Sequence, residues 1–166
     1  MDVNFKQKLH HVKAFAFDMD GVITDGSLLV NGEAEPLRTM DIKDGYAIHR
    51  AVAAGYKMIV ITGSSSEAMK KRLNYLGITE IHQKAHSKKE ILTQFATSND
   101  LSMQEILYMG DDIPDFEVMK TAGVATCPYD AVPEVRKISD YISDKPGGKG
   151  CVRDVIRQVM KLQDKW

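Results

Sequence analysis

Two pairs of acidic residues stand directly after short apolar segments that have the length of buried strands. Asp18 and Asp20 follow one such segment, and Asp111 and Asp112 follow another. Ligands of open α/β sheets bind beyond the carboxyl ends of the strands, so we expect both pairs at one edge of the sheet. Clustered carboxylate oxygens suit Mg²⁺, which usually shares its coordination with water and a phosphate group. The sequence therefore predicts a divalent-cation site where the two acidic strand ends meet.

A hydroxyl, free backbone amides and an ammonium group accompany these carboxylates along the chain. A third apolar segment ends in Thr62 and Gly63 at the start of a helical pattern, and N–H groups at a helix start bind anions. Lys88, near another predicted helix start, adds a compact positive charge. Phosphoryl transfer through an aspartyl phosphate needs such a set, because a carboxylate attacks phosphorus while cations and donors hold the phosphoryl oxygens.

The elements that must position these groups follow an alternating pattern of strand and helix. Most of the short apolar segments are separated by stretches with helical periodicity, which predicts βαβ units and a doubly wound, Rossmann-like parallel sheet. Three serines precede a glutamate at the spacing of a reciprocal helix cap: Ser64, Ser87 and Ser102. The apolar segments lie at residues 14–17, 58–61, 106–109, 124–126 and 141–142.

Two segments depart from this alternation within what we interpret as a single domain, residues 1–166. Residues 27–40 predict a projecting β-hairpin with Asn31-Gly32 as its two-residue turn. Residues 146–166 predict a flexible glycine-rich segment followed by a final helix, whose apolar residues recur with helical period.

Composition excludes several classes of function. The chain has 166 residues, 43% of them hydrophobic, and a formal net charge of -1, so no basic excess favours nucleic acid or an anionic membrane. Two cysteines are too few for a disulfide framework. The lysine-rich start has no continuous apolar stretch typical of a signal peptide. We therefore expect a soluble, cytoplasmic protein.

Four ordered motifs that span most of the chain resemble those of the haloacid dehalogenase superfamily: Asp18-Met19-Asp20-Gly21, Thr62-Gly63, Lys88 and Gly110-Asp111-Asp112. The resemblance implies a phosphatase in which Asp18 is the nucleophile and Asp20 is the general acid and base. It also implies that Thr62, Gly63 and Lys88 bind the phosphoryl group. Mg²⁺ would be held by Asp18, the backbone carbonyl of Asp20 and Asp111, while Asp112 or Asp115 would act through water or by supporting the ligands.

The gaps between Asp18, Thr62 and Lys88 are too short for a separate cap domain, so the chain resembles the capless subclass. That resemblance implies a homotetramer, in which the hairpin packs against neighbouring subunits. Within the subclass the chain is most similar to phosphatases of an eight-carbon keto-sugar acid phosphate in lipopolysaccharide synthesis. Ser64 and Lys149 depart from their pattern, at two positions where the resemblance implies substrate contacts.

The sequence alone leaves several interpretations of these residues and of the function open. Arg72 could reach a substrate carboxylate or form a surface salt bridge, and Lys149 could contact substrate or remain a solvated loop residue. The substrate could instead be a nine-carbon keto-sugar acid phosphate or a phosphorylated macromolecule. A non-catalytic assembly domain would keep the same fold. A signalling receiver domain is disfavoured, because its phosphorylated aspartate and its acidic pair lie on separate strands.

Overall fold

The computed structural model of the chain describes residues 5–32 and 35–166, and a six-stranded parallel sheet forms its centre. The strand order is β3-β2-β1-β4-β5-β6, with both halves of the sheet wound outward from β1. This confirms the predicted doubly wound α/β fold. The strands are β1 (Ala14–Phe17), β2 (Lys57–Ile61), β3 (Glu80–His82), β4 (Ile106–Met109), β5 (Val124–Cys127) and β6 (Tyr141–Ile142).

Helices cover both faces of the sheet. Residues alternate across a strand, so Phe15 and Phe17 of β1 face one layer while Ala14 and Ala16 face the other. The phenylalanine side packs on α2, α3 and α7, and the alanine side packs towards α4, α5 and α6. The helices are α1 (Phe5–Leu9), α2 (Ile42–Ala53), α3 (Glu67–Tyr75), α4 (Lys88–Ser98), α5 (Phe116–Met119), α6 (Pro133–Ile138) and α7 (Cys151–Leu162).

The sequence did not predict β3, and its expected helix caps were only partly correct. Glu80 and His82 flank a single isoleucine in β3, so this edge strand lacks an apolar run. Ser66 caps α3 in place of the predicted Ser64. Ser87 precedes α4 without a side-chain cap, and Ser102 forms the full reciprocal cap but opens a 3-10 turn. Spacing alone therefore located helix starts only approximately.

The predicted hairpin is present with a different register. Leu29 and Leu37 exchange both backbone hydrogen bonds, at 3.0 and 3.1 Å, whereas a two-residue turn at Asn31-Gly32 would pair Leu29 with Ala34. The observed pair therefore differs from the register that the predicted two-residue turn requires. Residues 33–34 of the predicted hairpin lie outside the described residues.

The glycine-rich segment before α7 lies against the turn that follows β1. A Cβ atom added to Gly147 would lie 1.9 Å from the carbonyl oxygen of Gly21, so only glycine allows this approach. The buried carboxylate of Asp44 then accepts the backbone N–H groups of Gly150 and Arg153, at 3.1 and 2.7 Å. An α2 side chain thus caps the first turn of α7, across a large separation in sequence.

We expect Asp44→Ala to lower the free energy of unfolding by about 1–3 kcal/mol, because two partly buried amides lose their acceptor. Chemical denaturation with a two-state fit measures this change. Asp144→Ala is the matched control, because Asp144 pairs with Lys145 on the surface and should shift stability by less than about 0.5 kcal/mol. Equal effects of the two variants would contradict the capping role.

Candidate active site

The strand order brings the three predicted motif positions side by side. Asp18 follows β1, Thr62 follows β2 and Asp111 follows β4, and β1 lies between the other two strands. Their carboxyl ends form one wall of a cleft of about 510 Å³. The residues that line it are Asp18, Asp20, Gly26, Thr62, Gly63, Ser64, Ala85, His86, Lys88, Asp111, Asp112 and Pro114.

Three carboxylates gather at the floor of this cleft. One oxygen each from Asp18, Asp111 and Asp115 lies within 4.8 Å of the others. Oδ1 of Asp111 is buried and has no hydrogen-bond partner among the described residues. Burial, followed by the charges of Asp115 and Asp112, raises the pKa of Asp111 to about 7. An orphaned buried oxygen among like charges fits a divalent cation, because the cation would supply the missing partner and offset the repulsion.

Asp115 is fully buried and holds its neighbours in place. Its Oδ1 accepts hydrogen bonds from Lys88 Nζ and from the Tyr108 hydroxyl, both at 2.7 Å. Its Oδ2 accepts the backbone N–H of Asp111 at 3.1 Å. Both oxygens are therefore engaged by protein donors, which makes Asp115 a support for the cluster.

Lys88 offsets part of the negative charge. Its ammonium lies 2.9 Å from Asp18 Oδ2 and 2.7 Å from Asp115 Oδ1, and only 6% of the residue is exposed. Burial lowers the pKa of Lys88, but the charges of Asp115 and Asp18 outweigh it and raise that pKa. Lys88 therefore stays charged at the cleft floor. Burial and the charge of Asp115 raise the pKa of Asp18, and Lys88 opposes this shift.

Asp20 sits in a wide turn, Met19–Ile23, that redirects the chain after β1. Gly21 has a φ of +88°, and a Cβ there would lie 2.0 Å from Asp111 Oδ2, so glycine lets this turn pass over Asp111. Burial raises the pKa of Asp20, but hydrogen bonds from Arg38 and Ser64 outweigh it and hold the pKa below its ordinary value. Asp20 thus has a different environment from Asp18.

The loop after β2 presents hydroxyl and amide groups to the cleft. Thr62 is buried, and its Oγ1 lies 3.0 Å from Ser64 Oγ. The backbone N–H of Ser64 also donates to Thr62 Oγ1, at 3.2 Å. Gly63 lines the cleft beside them. The residues of the predicted anion cradle therefore lie at the cleft wall beside Ser64, which does not cap α3, and their binding of a phosphoryl group stays a prediction.

Other predicted site residues lie farther from the cleft floor. Asp112 lines the cleft, but its Oδ1 accepts the backbone N–H of Ile113 at 2.7 Å. Arg72 is exposed on α3 and stacks over Tyr75, 5.4 Å from the ring centroid. Lys149 has 57% of its side chain exposed and lies 3.7 Å from Asp25. Arg72 and Lys149 do not line the cleft of this single chain, and their substrate contacts stay predictions.

Two residues of this network, Tyr108 and Arg38, were not predicted from the sequence. Tyr108 stands inside an apolar strand run, and its hydroxyl was the available signal that a polar partner must lie nearby. Arg38 belongs to the hairpin, and nothing in its local sequence indicated that it would reach Asp20.

Comparison with known proteins agrees with this geometry. Residues 74–155 match the family of haloacid dehalogenase-like hydrolases. The chain is 28% identical over 159 residues to the 3-deoxy-D-manno-octulosonate 8-phosphate phosphatase of Yersinia pestis, covering 96% of this chain and 85% of that protein.

The chain is also similar to solved structures of such phosphatases. A Yersinia pestis phosphatase of that name superposes with a TM-score of 0.95 at 28% identity, covering 98% of this chain and 88% of that chain. The Moraxella catarrhalis phosphatase, solved with magnesium, phosphate and KDO, gives a TM-score of 0.93 at 32% identity, covering 96% and 92%. Within residues 5–32 and 35–166, no helix has the length and apolar character needed to cross a membrane.

We expect Mg²⁺ to raise the melting temperature by roughly 5–10 °C at about 100 times its Kd, because a ligand of the folded state stabilises it by about 2.7 kcal/mol there. Differential scanning fluorimetry measures this shift. The gain should shrink as the pH falls below about 7, where Asp111 takes up a proton that the metal must displace.

Asp111→Asn should remove most of this Mg²⁺-dependent shift, because the buried orphaned oxygen loses its charge. Asp100→Asn is the matched control, because Asp100 is exposed and follows the end of α4 opposite to Lys88. A full Mg²⁺ response in Asp111→Asn would contradict the assignment of this cluster as the cation site.

Proposed function

Because the chain belongs to the haloacid dehalogenase-like hydrolase family and is a phosphatase, we propose that it hydrolyses 3-deoxy-D-manno-octulosonate 8-phosphate to the free sugar acid and phosphate. Such a reaction supplies the eight-carbon sugar acid of lipopolysaccharide. The observation that carries the proposal is the similarity over 96% of the chain to a phosphatase solved with magnesium, phosphate and KDO. The acidic cleft with its cradle of donors supports the same chemistry.

In the proposed first step, a carboxylate oxygen of Asp18 attacks the phosphorus atom. The bond from phosphorus to the sugar oxygen breaks, and its electron pair goes to that oxygen, which takes a proton from the Asp20 carboxyl group. Asp18 and Asp20 line the same cleft, so both carboxyl groups can reach one phosphate ester, and this supports the proposed roles. Lys88 and Thr62 are proposed to hold the phosphoryl oxygens.

In the proposed second step, the Asp20 carboxylate takes a proton from a water molecule whose oxygen attacks phosphorus. The bond from phosphorus to Asp18 then breaks, which releases phosphate and restores both carboxyl groups to their initial states. The low pKa of Asp20 suits this step, since its ionised form is the base.

Asp18, Asp111 and the backbone carbonyl of Asp20 are proposed to hold Mg²⁺, with Asp112 or Asp115 acting through water or by support. When bound, the ion offsets the repulsion between the Asp18 carboxylate and the phosphate dianion. The buried, unpartnered oxygen of Asp111 supports this assignment.

We further propose that the enzyme is a homotetramer whose neighbouring subunits complete the cleft. Four large apolar side chains of the hairpin support this, since each is about half or more exposed: Leu28, Leu29, Val30 and Leu37. Such a patch usually marks an interaction surface. In such an assembly Arg72 and Lys149 would contact substrate in the cleft of a neighbouring subunit.

Phosphate release tests the proposed substrate directly. We expect wild-type enzyme with Mg²⁺ to hydrolyse 3-deoxy-D-manno-octulosonate 8-phosphate with a kcat/KM at least about tenfold above its nine-carbon analogue and simple hexose phosphates, a difference of about 1.4 kcal/mol in transition-state binding. EDTA should abolish the activity, and Asp18→Asn should be folded and inactive. Preference for the nine-carbon substrate would contradict the proposed substrate, and hydrolysis of no ester would contradict the enzyme assignment.

The oligomeric state is tested by light scattering after size exclusion. The double variant Leu29→Lys with Val30→Lys should elute as smaller species with reduced turnover, because buried lysines without partners disfavour association. Tyr129→Lys is the control, since Tyr129 is an exposed aromatic residue outside the hairpin. An unchanged tetramer in the double variant, or a monomeric wild type, would contradict the proposed interface.

A further inference from the structure

A forked ion pair joins the hairpin to the turn that carries Asp20. Arg38 Nε donates to Asp20 Oδ1 at 2.7 Å, and Arg38 Nη2 donates to Asp20 Oδ2 at 3.3 Å. Only 4% of the Arg38 side chain is exposed, against 30% of the Asp20 side chain. A guanidinium that binds both oxygens fixes the plane of a carboxylate as well as its position.

The returning arm of the hairpin is itself anchored on both sides of Arg38. On one side, the Glu35 carboxylate accepts a hydrogen bond from the Ser66 hydroxyl at the start of α3. On the other side, the Thr39 hydroxyl donates to Asp25 Oδ2 at 3.0 Å, and Met40 pairs with Thr24. The hairpin residues on both sides of Arg38 are therefore bonded to residues outside the hairpin.

Two hydroxyl groups, those of Ser64 and Thr24, also bind the Asp20 carboxylate. The Thr24 hydroxyl donates to its Oδ1 at 3.4 Å, a longer contact than the Arg38 Nε bond. The backbone of Asp20 is extended, between the buried strand and the left-handed Gly21. A carboxyl group that is 30% exposed and otherwise bound only by rotatable hydroxyl groups would sample several rotamers without the fork. Proton transfer to a leaving oxygen, however, requires a fixed distance and direction.

Arg38 does not line the cleft, and its Nη1 donates to the carbonyl of Pro36 at 3.4 Å. Its donors are thus directed at Asp20 and at its own arm, and not at the space that a substrate would occupy. This geometry disfavours a direct contact between Arg38 and the sugar acid.

We infer that Arg38 is the positioning residue for Asp20, so that the hairpin supplies a part of the acid and base machinery as well as a surface for neighbouring subunits. The inference rests on the proposed function, in which Asp20 protonates the leaving oxygen. It predicts that the loss of Arg38 slows phosphoenzyme formation more when the leaving oxygen needs a proton than when it does not.

Two esters with different leaving groups separate these steps. The alkoxide of 3-deoxy-D-manno-octulosonate 8-phosphate needs a proton as the bond to phosphorus breaks, whereas p-nitrophenolate leaves without one. The value of kcat/KM reports on phosphoenzyme formation for both esters. Arg38→Met should lower kcat/KM for the sugar-acid ester by about 10²-fold, the lower range of general acid catalysis, and change that for p-nitrophenyl phosphate by less than about threefold.

Arg38→Lys should recover part of the loss, because lysine keeps the charge but cannot bind both oxygens. Arg157→Met is the matched control, since Arg157 is exposed on α7 and should leave both kcat/KM values unchanged. Circular dichroism and melting temperature report whether each variant folds. If Arg38→Met does not fold, Arg38→Lys and Glu35→Gln carry the test, and both should show a partial loss that is confined to the sugar-acid ester.

Equal losses on the two esters would overturn the inference, because they indicate general support of the site. A rise in KM for the sugar-acid ester with unchanged kcat would also overturn it, because this indicates substrate contact. Failure of the wild type to hydrolyse the sugar-acid ester contradicts the proposed function instead. The comparison then uses an aliphatic phosphate ester that the wild type hydrolyses, with the same outcomes.

Discussion

Mutual repulsion among the carboxylates of Asp18, Asp111 and Asp115 is the constraint around which this end of the molecule is organised. The three groups lie within 4.8 Å of one another, and two of them are almost fully buried. Lys88 offsets one charge, and the Tyr108 hydroxyl and a backbone amide bind Asp115. The remaining negative charge lowers the free energy of unfolding of the metal-free protein. The same charge gives this cluster an affinity for a divalent cation.

The parallel sheet makes this crowding possible. Its central strands are buried on both faces, so their carboxyl ends are rigid and adjacent, and each delivers a side chain to the same cleft. The turn after β1 is held from two directions, by the glycine-rich segment before α7 and by the hairpin arm that carries Arg38. Segments distant in sequence thus fix the position of Asp20.

Local patterns predicted the elements that have strong local signals. The apolar runs before Asp18 and before Asp111 matched their strands, because a strand buried on both faces must be apolar throughout. Weak signals failed: β3 is an edge strand with polar flanks, and Ser64 had the correct spacing for a cap but bonds to Thr62 instead. The hairpin register also depended on contacts outside the Asn31-Gly32 turn.

The types and order of the motif residues, with the apolar runs before them, were sufficient to predict a parallel sheet, an acidic cation site and phosphoryl chemistry. These properties follow from short-range sequence, since three of the four motifs directly follow their own strands and Lys88 opens a helix. The pairing of Arg38 with Asp20, the burial of Asp115 and the capping of α7 by Asp44 came from the folded structure alone. Each joins segments that meet only after the sheet and its helices have packed, and no local pattern encodes such a contact.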